Sequence, residues 1–272
     1  MSKSSNQAIH AMKISFVAIC LLIQFCGHAQ DSLQARLSAA QRITSRYITL
    51  LSLSVNEQAA LKKAVQSLED KGLYYKLLSF NIGRFTQQGK CYNLLAPFTD
   101  DGSLTLTFDA GTPEKLSSGI KLSSTDILDT HFVNDLASDA PYIGVFCYTD
   151  TNVTKPFINS ASPFKINPYE GGKVYVSIWG AASGIAVPPT PFVFSLGQRT
   201  DDDHVEFFHD DTKYSETLPI DTQNPTGNHI YITGNSSGDL ILKVFGFTKS
   251  LTQQQASDLK QIIGQLMADL GI

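Results

Sequence analysis

After about residue 90 the chain alternates apolar and polar side chains with a period of two, and this pattern limits the fold more than any other feature. Ser103-Leu104-Thr105-Leu106-Thr107-Phe108 puts aliphatic and aromatic groups on one side and hydroxyls on the other. Only an extended strand places successive side chains on opposite faces, so such a segment must lie in a sheet with one buried side. Lys173 to Trp179 repeats the pattern, setting Val174, Val176 and Ile178 against Tyr175, Ser177 and Trp179. Tyr142 to Thr149, Phe192 to Gly197, Val205 to Phe208, His229 to Thr233 and Asp239 to Phe247 read as further strands. The separators Glu170-Gly171-Gly172, Pro188-Pro189 and Gly234-Asn235-Ser236-Ser237-Gly238 carry turn chemistry. Many short strands without intervening helices predict a mainly β fold, an antiparallel jelly-roll β-sandwich over residues 89–272.

Residues 30–88 form a helical preface to that sandwich. Leu33, Leu37, Ala40 and Ile43 recur at helical spacing, and Tyr47, Leu50 and Leu51 extend the stripe. Ser54-Val55-Asn56-Glu57 is a capping box that opens a second helix, with Leu61, Val65 and Leu68 on its apolar face and Lys71-Gly72 as its stop. The two predict a helical hairpin, with Leu73 to Phe80 as a further short helix. A second capping box, Thr252 to Gln255, opens a C-terminal helix whose stripe includes Ala256, Leu259, Ile262, Ile263, Leu266 and Leu270. That stripe must pack on the sandwich or on the preceding helices.

Residues 1–29 read as a signal peptide. Lys13 precedes the apolar run Ile14 to Ile23, and Gly27-His28-Ala29 supplies small residues before a cleavage site near Ala29. The run is too short to span a bilayer, which takes roughly 20 helical residues. Either Met1 or Met12 can open the segment. The expectation is a chain that is secreted, periplasmic or held at the cell surface, with no transmembrane segment once processed. Cleavage removes Lys3 and Lys13 and no acidic residue, so a chain of formal charge −4 becomes more acidic still. An acidic body argues against sequence-independent binding to nucleic acid or anionic membranes. Cleavage also removes Cys20 and Cys26, leaving Cys91 and Cys147 either to pair in an oxidising compartment or to serve as small buried apolar groups.

The C-terminal part resembles a known group. Ile230-Tyr231-Ile232-Thr233-Gly234-Asn235, the strand Leu242 to Phe247, and Ser250-Leu251-Thr252 before a helix resemble the end of concanavalin A-like domains of the laminin-G type. Phe194-Ser195-Leu196-Gly197-Gln198-Arg199-Thr200 and Asp70-Lys71-Gly72-Leu73-Tyr74-Tyr75-Lys76 resemble a strand-turn and a helical lead-in of a bacterial and phage-associated branch of that superfamily. The resemblance covers roughly residues 55–272. It implies a jelly roll of two curved sheets, commonly used for glycan or protein recognition.

Candidate chemistry is sparse. No nucleophile elbow, phosphate-cradling loop or dinucleotide fingerprint is present in the sequence. Trp179 and Tyr175 share one side of a strand and can stack on sugar rings; Tyr148, Asn152 and His131 are further candidates for ligand contact. Asp201, Asp203 and Asp210 are candidate ligands for calcium, a hard cation that takes six to eight oxygens. No other cofactor is implied. Asp201, Asp203 and Glu206 loosely imitate the alternating carboxylates of glycosidases, although they sit in a polar turn that provides no burial to raise a pKa. The leading expectation is a secreted, non-catalytic recognition module for carbohydrate or another surface polymer. The alternatives are a structural assembly protein without a small ligand and, third, a glycoside hydrolase.

Overall fold

The computed structural model of the chain describes residues 41–95, 104–134, 142–149, 158–159, 164–170, 173–178, 183–186, 193–220, 228–233 and 240–272. The predicted signal peptide, Trp179 and Asn152 lie outside the described residues. By its internal contacts the chain divides into two units, Met1–Arg42 and Ile43–Ile272. The sheets and the helices described below belong to the second.

Residues 43–51 are helical (α1), followed by α2 (Val55–Asp70). The strands are β1 (Asn81–Ile82), β2 (Lys90–Cys91), β3 (Leu106–Ala110), β4 (Glu114–Lys115), β5 (Ile120–Leu122), β6 (Ile127–Asn134), β7 (Ile143–Thr149) and β8 (Ile158–Asn159). They continue as β9 (Phe164–Glu170), β10 (Lys173–Ile178), β11 (Ser183–Ala186), β12 (Phe194–Arg199), β13 (His204–His209), β14 (Thr212–Thr217), β15 (Asn228–Thr233) and β16 (Leu240–Lys249). Helix α3 (Gln253–Asp269) closes the chain.

The strands form two antiparallel sheets. One runs β14-β13-β12-β7-β16-β5-β4, with β1 added to β16; the other runs β11-β10-β9-β8-β15-β6-β3-β2. Long-range neighbours such as β7 beside β16 and β6 beside β15 make this a mainly β sandwich rather than a chain of hairpins. The core lies between the sheets. Ile143, Val145 and Cys147 of β7 and Val205 and Phe207 of β13 share it with Leu128 of β6 and Ile230 and Ile232 of β15. Each fully buried side chain of this kind contributes about 1.5–3 kcal/mol through removal of apolar surface from water.

Strand β7 is buried on both faces, which is why its sequence reads as an apolar run rather than an alternation. On the side away from the core its Phe146 ring lies 5.9 Å from Phe80. Gly246 of β16 sits beneath the same pair, with the Ser79 carbonyl and the Phe146 ring where a Cβ would be. The predicted helix over Leu73 to Phe80 does not form. Residues 74–76 make a turn, and Leu78 and Ser79 donate their amides to the Phe247 carbonyl. Apolar spacing in this stretch serves burial against β16, not a helical face.

Both capping boxes form. Ser54 and Glu57 exchange bonds at the start of α2, and Thr252 and Gln255 do so at the start of α3. The two helices pack on each other, Leu61, Val65 and Leu68 being buried on α2 and Leu259, Ile262 and Ile263 on α3. Lys63–Asp269 (2.7 Å) and Lys71–Asp258 (3.2 Å) bridge them at the rim. Among the described residues, no helix is long and apolar enough to cross a membrane. Cys91 and Cys147 are free and buried in the shared core, and burial pushes each thiol up to about 12.

Candidate functional site

The side chains with the most chemical potential gather on β6 and β15, in the sheet opposite the helix-bearing one. On β6, Leu128, Thr130 and Phe132 turn inward, so Asp129 and His131 turn outward. On β15, Ile230 and Ile232 are buried, which leaves His229 and Tyr231 on the outward side. Thr107 and Asp109 of β3 join them by the same alternation.

Regular pairing would not bring Asp129, His131 and His229 together; a bulge does. The register runs from His229↔Val133 to Tyr231↔Asp129, so two steps along β15 meet four along β6. Backbone pairing lost there is replaced by side chains. Thr130 donates its hydroxyl to the Ile230 carbonyl (2.7 Å) and accepts the Phe132 amide (3.2 Å). At the crest His131 takes a left-handed backbone, φ +54, which costs a non-glycine residue on the order of 1 kcal/mol. The Asp129 carboxylate stabilises that turn by accepting the His131 amide at 2.7 Å, a short local bond of the kind Asp makes two residues ahead.

This leaves one carboxylate oxygen in the middle of two imidazoles. Oδ1 of Asp129 holds the His131 amide, while Oδ2 lies 2.7 Å from His229 Nδ1 and 3.6 Å from His131 Nδ1. The two rings meet edge to face at 5.5 Å. His131 is held from its other side, its Nε2 lying 2.9 Å from the Thr107 hydroxyl. Asp129 is nearly buried, whereas the His131 and His229 side chains keep 29% and 36% of their surface exposed. The group is therefore reachable from solvent but not loose. Tyr231 lies beside His229, and its phenol is pushed up by burial first and then by Asp129 and Asp109. One donor atom from each of Asp129, His131 and His229 lies within 4.8 Å of the others, so the set can hold a cation as well as bond hydroxyls.

No family model matches the chain, and no curated protein matches it. Solved structures do. The binding domain of botulinum neurotoxin serotype D/C VPI 5993 aligns with a TM-score of 0.52 at 7% identity, over 69% of this chain and 52% of that one. The binding domain of botulinum neurotoxin DC, solved in complex with SialylT, aligns with a TM-score of 0.50 at 9% identity, over 69% and 51%. The chain shares its fold with botulinum neurotoxin binding domains. It spans about half the length of those domains, and at this identity the likeness concerns the fold alone. The laminin-G-like, concanavalin A-like assignment suggested by the strand and turn motifs is thereby corrected: the solved structures that share the fold are neurotoxin binding domains, and no family model supports the motif-based reading. Short strand-and-glycine motifs recur in many sandwiches because turn chemistry demands them, so they carry little family information.

The residues singled out in the sequence are dispersed. His131 belongs to the outward cluster on β6 and β15, beside the central Asp129 carboxylate. Tyr175 lies on β10 of the same sheet, paired with Asn167 and Gly184. Tyr148 belongs to the other sheet, half-buried beneath α3, where a Cβ on Gly264 would lie 3.7 Å from its phenol oxygen; burial, then Asp210, raises that phenol. Asp201 and Asp203 precede β13 and Asp210 follows it, so a six-residue strand of about 20 Å separates them and one calcium ion cannot take all three. Asp201 and Asp210 have local work instead. Asp201 accepts the Asp203 amide (2.9 Å) and faces His204 Nδ1 (2.8 Å), contacts that hold its carboxyl below the usual range. Asp210 accepts the Phe194 amide (3.1 Å). Asp129, His229 and Tyr231 escaped the sequence reading. The signal was there in Asp129-Thr130-His131 and His229-Ile230-Tyr231, two polar pairs each at strand spacing.

Proposed function

We propose that this protein is an exported, non-catalytic recognition module that binds carbohydrate through the outward face of β3, β6 and β15. The observation that carries the reading is the Asp129–His131–His229 group with Tyr231 beside it: preset donors and acceptors next to an aromatic ring, partly open to solvent. Sugar hydroxyls need paired donors and acceptors, and sugar ring faces need a flat apolar surface; a site of this kind offers both. Ordering such side chains in advance lowers the entropy lost on binding. The bulge and the Asp129–His131 amide bond provide that ordering here. Support also comes from the shared fold, since one neurotoxin binding domain with this architecture was solved with SialylT. The sequence features of the first 29 residues support export.

The test is an array of neutral and sialylated glycans probed with the processed chain. Selective retention that is lost in Tyr231→Ala and His229→Ala supports the reading. Silence across the array, or retention unchanged in both variants, refutes it.

A further inference from the structure

Beyond glycan recognition, and on side chains which that reading also uses, the geometry points to a transition-metal site: we propose that Asp129, His131 and His229 together bind one divalent ion of the zinc class. Two imidazole nitrogens and one carboxylate oxygen suit zinc and its neighbours, not calcium or magnesium, which prefer oxygen ligands. Bonds of 2.0–2.1 Å in a tetrahedral arrangement set neighbouring donor atoms about 3.3 Å apart. The observed separations from Asp129 Oδ2, 2.7 Å to His229 Nδ1 and 3.6 Å to His131 Nδ1, lie on either side of that value. Small side-chain rotations bring all three onto one ion.

The surroundings fit a metal centre as well as the donors do. Zinc-binding histidines are oriented by a bond from the second ring nitrogen, and His131 Nε2 has one to Thr107 Oγ1 at 2.9 Å. When Nε2 carries the proton, Nδ1 turns its lone pair toward Asp129. The carboxylate is also set in advance, because Oδ1 is occupied by the His131 amide and only Oδ2 remains free toward the rings. The strained backbone at His131 places this donor; a regular strand would set Asp129 and His131 further apart along β6. For Nδ1 of His229 to face the ion with its lone pair, the ring takes the tautomer with its proton on Nε2, and Asp129 Oδ2 exchanges its contact with Nδ1 for one with the ion. Three protein ligands leave a fourth position on the ion for water, on the partly exposed side of the rings.

The experiment uses the full chain, stripped with chelator and titrated with zinc chloride by calorimetry, and with cobalt(II) followed by visible absorption. The expected result is one ion per chain and a tetrahedral cobalt spectrum. His229→Ala and His131→Ala are expected to abolish the cobalt spectrum, and Thr107→Val to weaken binding by about tenfold or more through loss of the ring-orienting bond. Both His229 and Thr107 are partly exposed, so these variants keep the test sound even where Asp129→Asn fails to fold. Absence of saturable binding, or binding that His229→Ala leaves unchanged, overturns the proposal. Glycan retention by the metal-stripped chain is read separately, so failure of one idea is distinct from failure of the other.

Discussion

Gln198 on β12 bonds both backbone groups of Leu251, donating Nε2 to its carbonyl at 2.7 Å and accepting its amide on Oε1 at 2.8 Å. Gln198 is fully buried, so this pair of bonds joins the middle of one sheet to the residue just before the N-cap of α3. Replacing it with Leu leaves two backbone groups without partners in a place that water does not reach. A loss of about 2–4 kcal/mol is expected in urea unfolding. A loss below 1 kcal/mol would show that the end of the chain docks without this link.

Arg199, the next residue, is buried as completely and faces the other way. It donates to the carbonyls of Ile178 (2.6 Å), Asp201 (3.2 Å), Asp202 (3.0 Å) and Leu218 (2.9 Å), tying the turn after β12 to β10 and to the end of β14. The acidic turn is thus built around a cation whose charge offsets its own. Arg199→Met retains most of the volume but abandons four acceptors, and a destabilisation of about 3 kcal/mol or more is expected. Asp203→Ala, which removes only an exposed carboxylate, is expected to stay within about 0.5 kcal/mol of the parent. Paired unfolding curves for the two variants check the contrast.

The two thiols give a pH dependence of definite sign. Burial raises Cys91 and Cys147 from an ordinary value of 9.0 to about 12 in the folded chain. Between those values the unfolded state releases protons that the folded state keeps. The stability contribution is therefore complete below pH 9 and is lost as pH rises toward 12, by up to about 1.4 kcal/mol per pH unit for each thiol. Cys147→Ser is expected to flatten the alkaline limb of a stability–pH profile, and neither thiol is expected to react with an alkylating agent at pH 8 until the chain unfolds. Rapid alkylation of the folded chain would contradict the burial.

Sequence patterning revealed the sandwich because burial on one face writes a period of two into β3 and β15, while burial on both faces writes an apolar run into β7. It revealed the starts of α2 and α3 because capping boxes are local. The edge strand β14, Thr212-Lys213-Tyr214-Ser215-Glu216-Thr217, escaped because an exposed edge carries little apolar signal. Strand β6 escaped for a different reason. Its inward side includes the polar Thr130 and its outward side is the polar group of the candidate site, so the apolar signal of alternation is weak. The bulge that brings the cluster together is a feature of pairing with β15 and leaves no local mark in the sequence. Trp179 and Tyr175 drew attention as aromatics on one strand, whereas Asp129 and His229, 100 residues apart, come together only through the long-range pairing of β6 with β15.

The direct measurement of the central claim is the affinity of the processed chain for its best-retained array glycan, compared with Tyr231→Ala and His229→Ala variants of unchanged unfolding midpoint. Loss of about two to three kcal/mol, roughly thirty- to a hundred-and-fifty-fold, is expected if the outward face of β6 and β15 is the binding surface. Equal affinity in all three proteins would place recognition elsewhere and contradict the account.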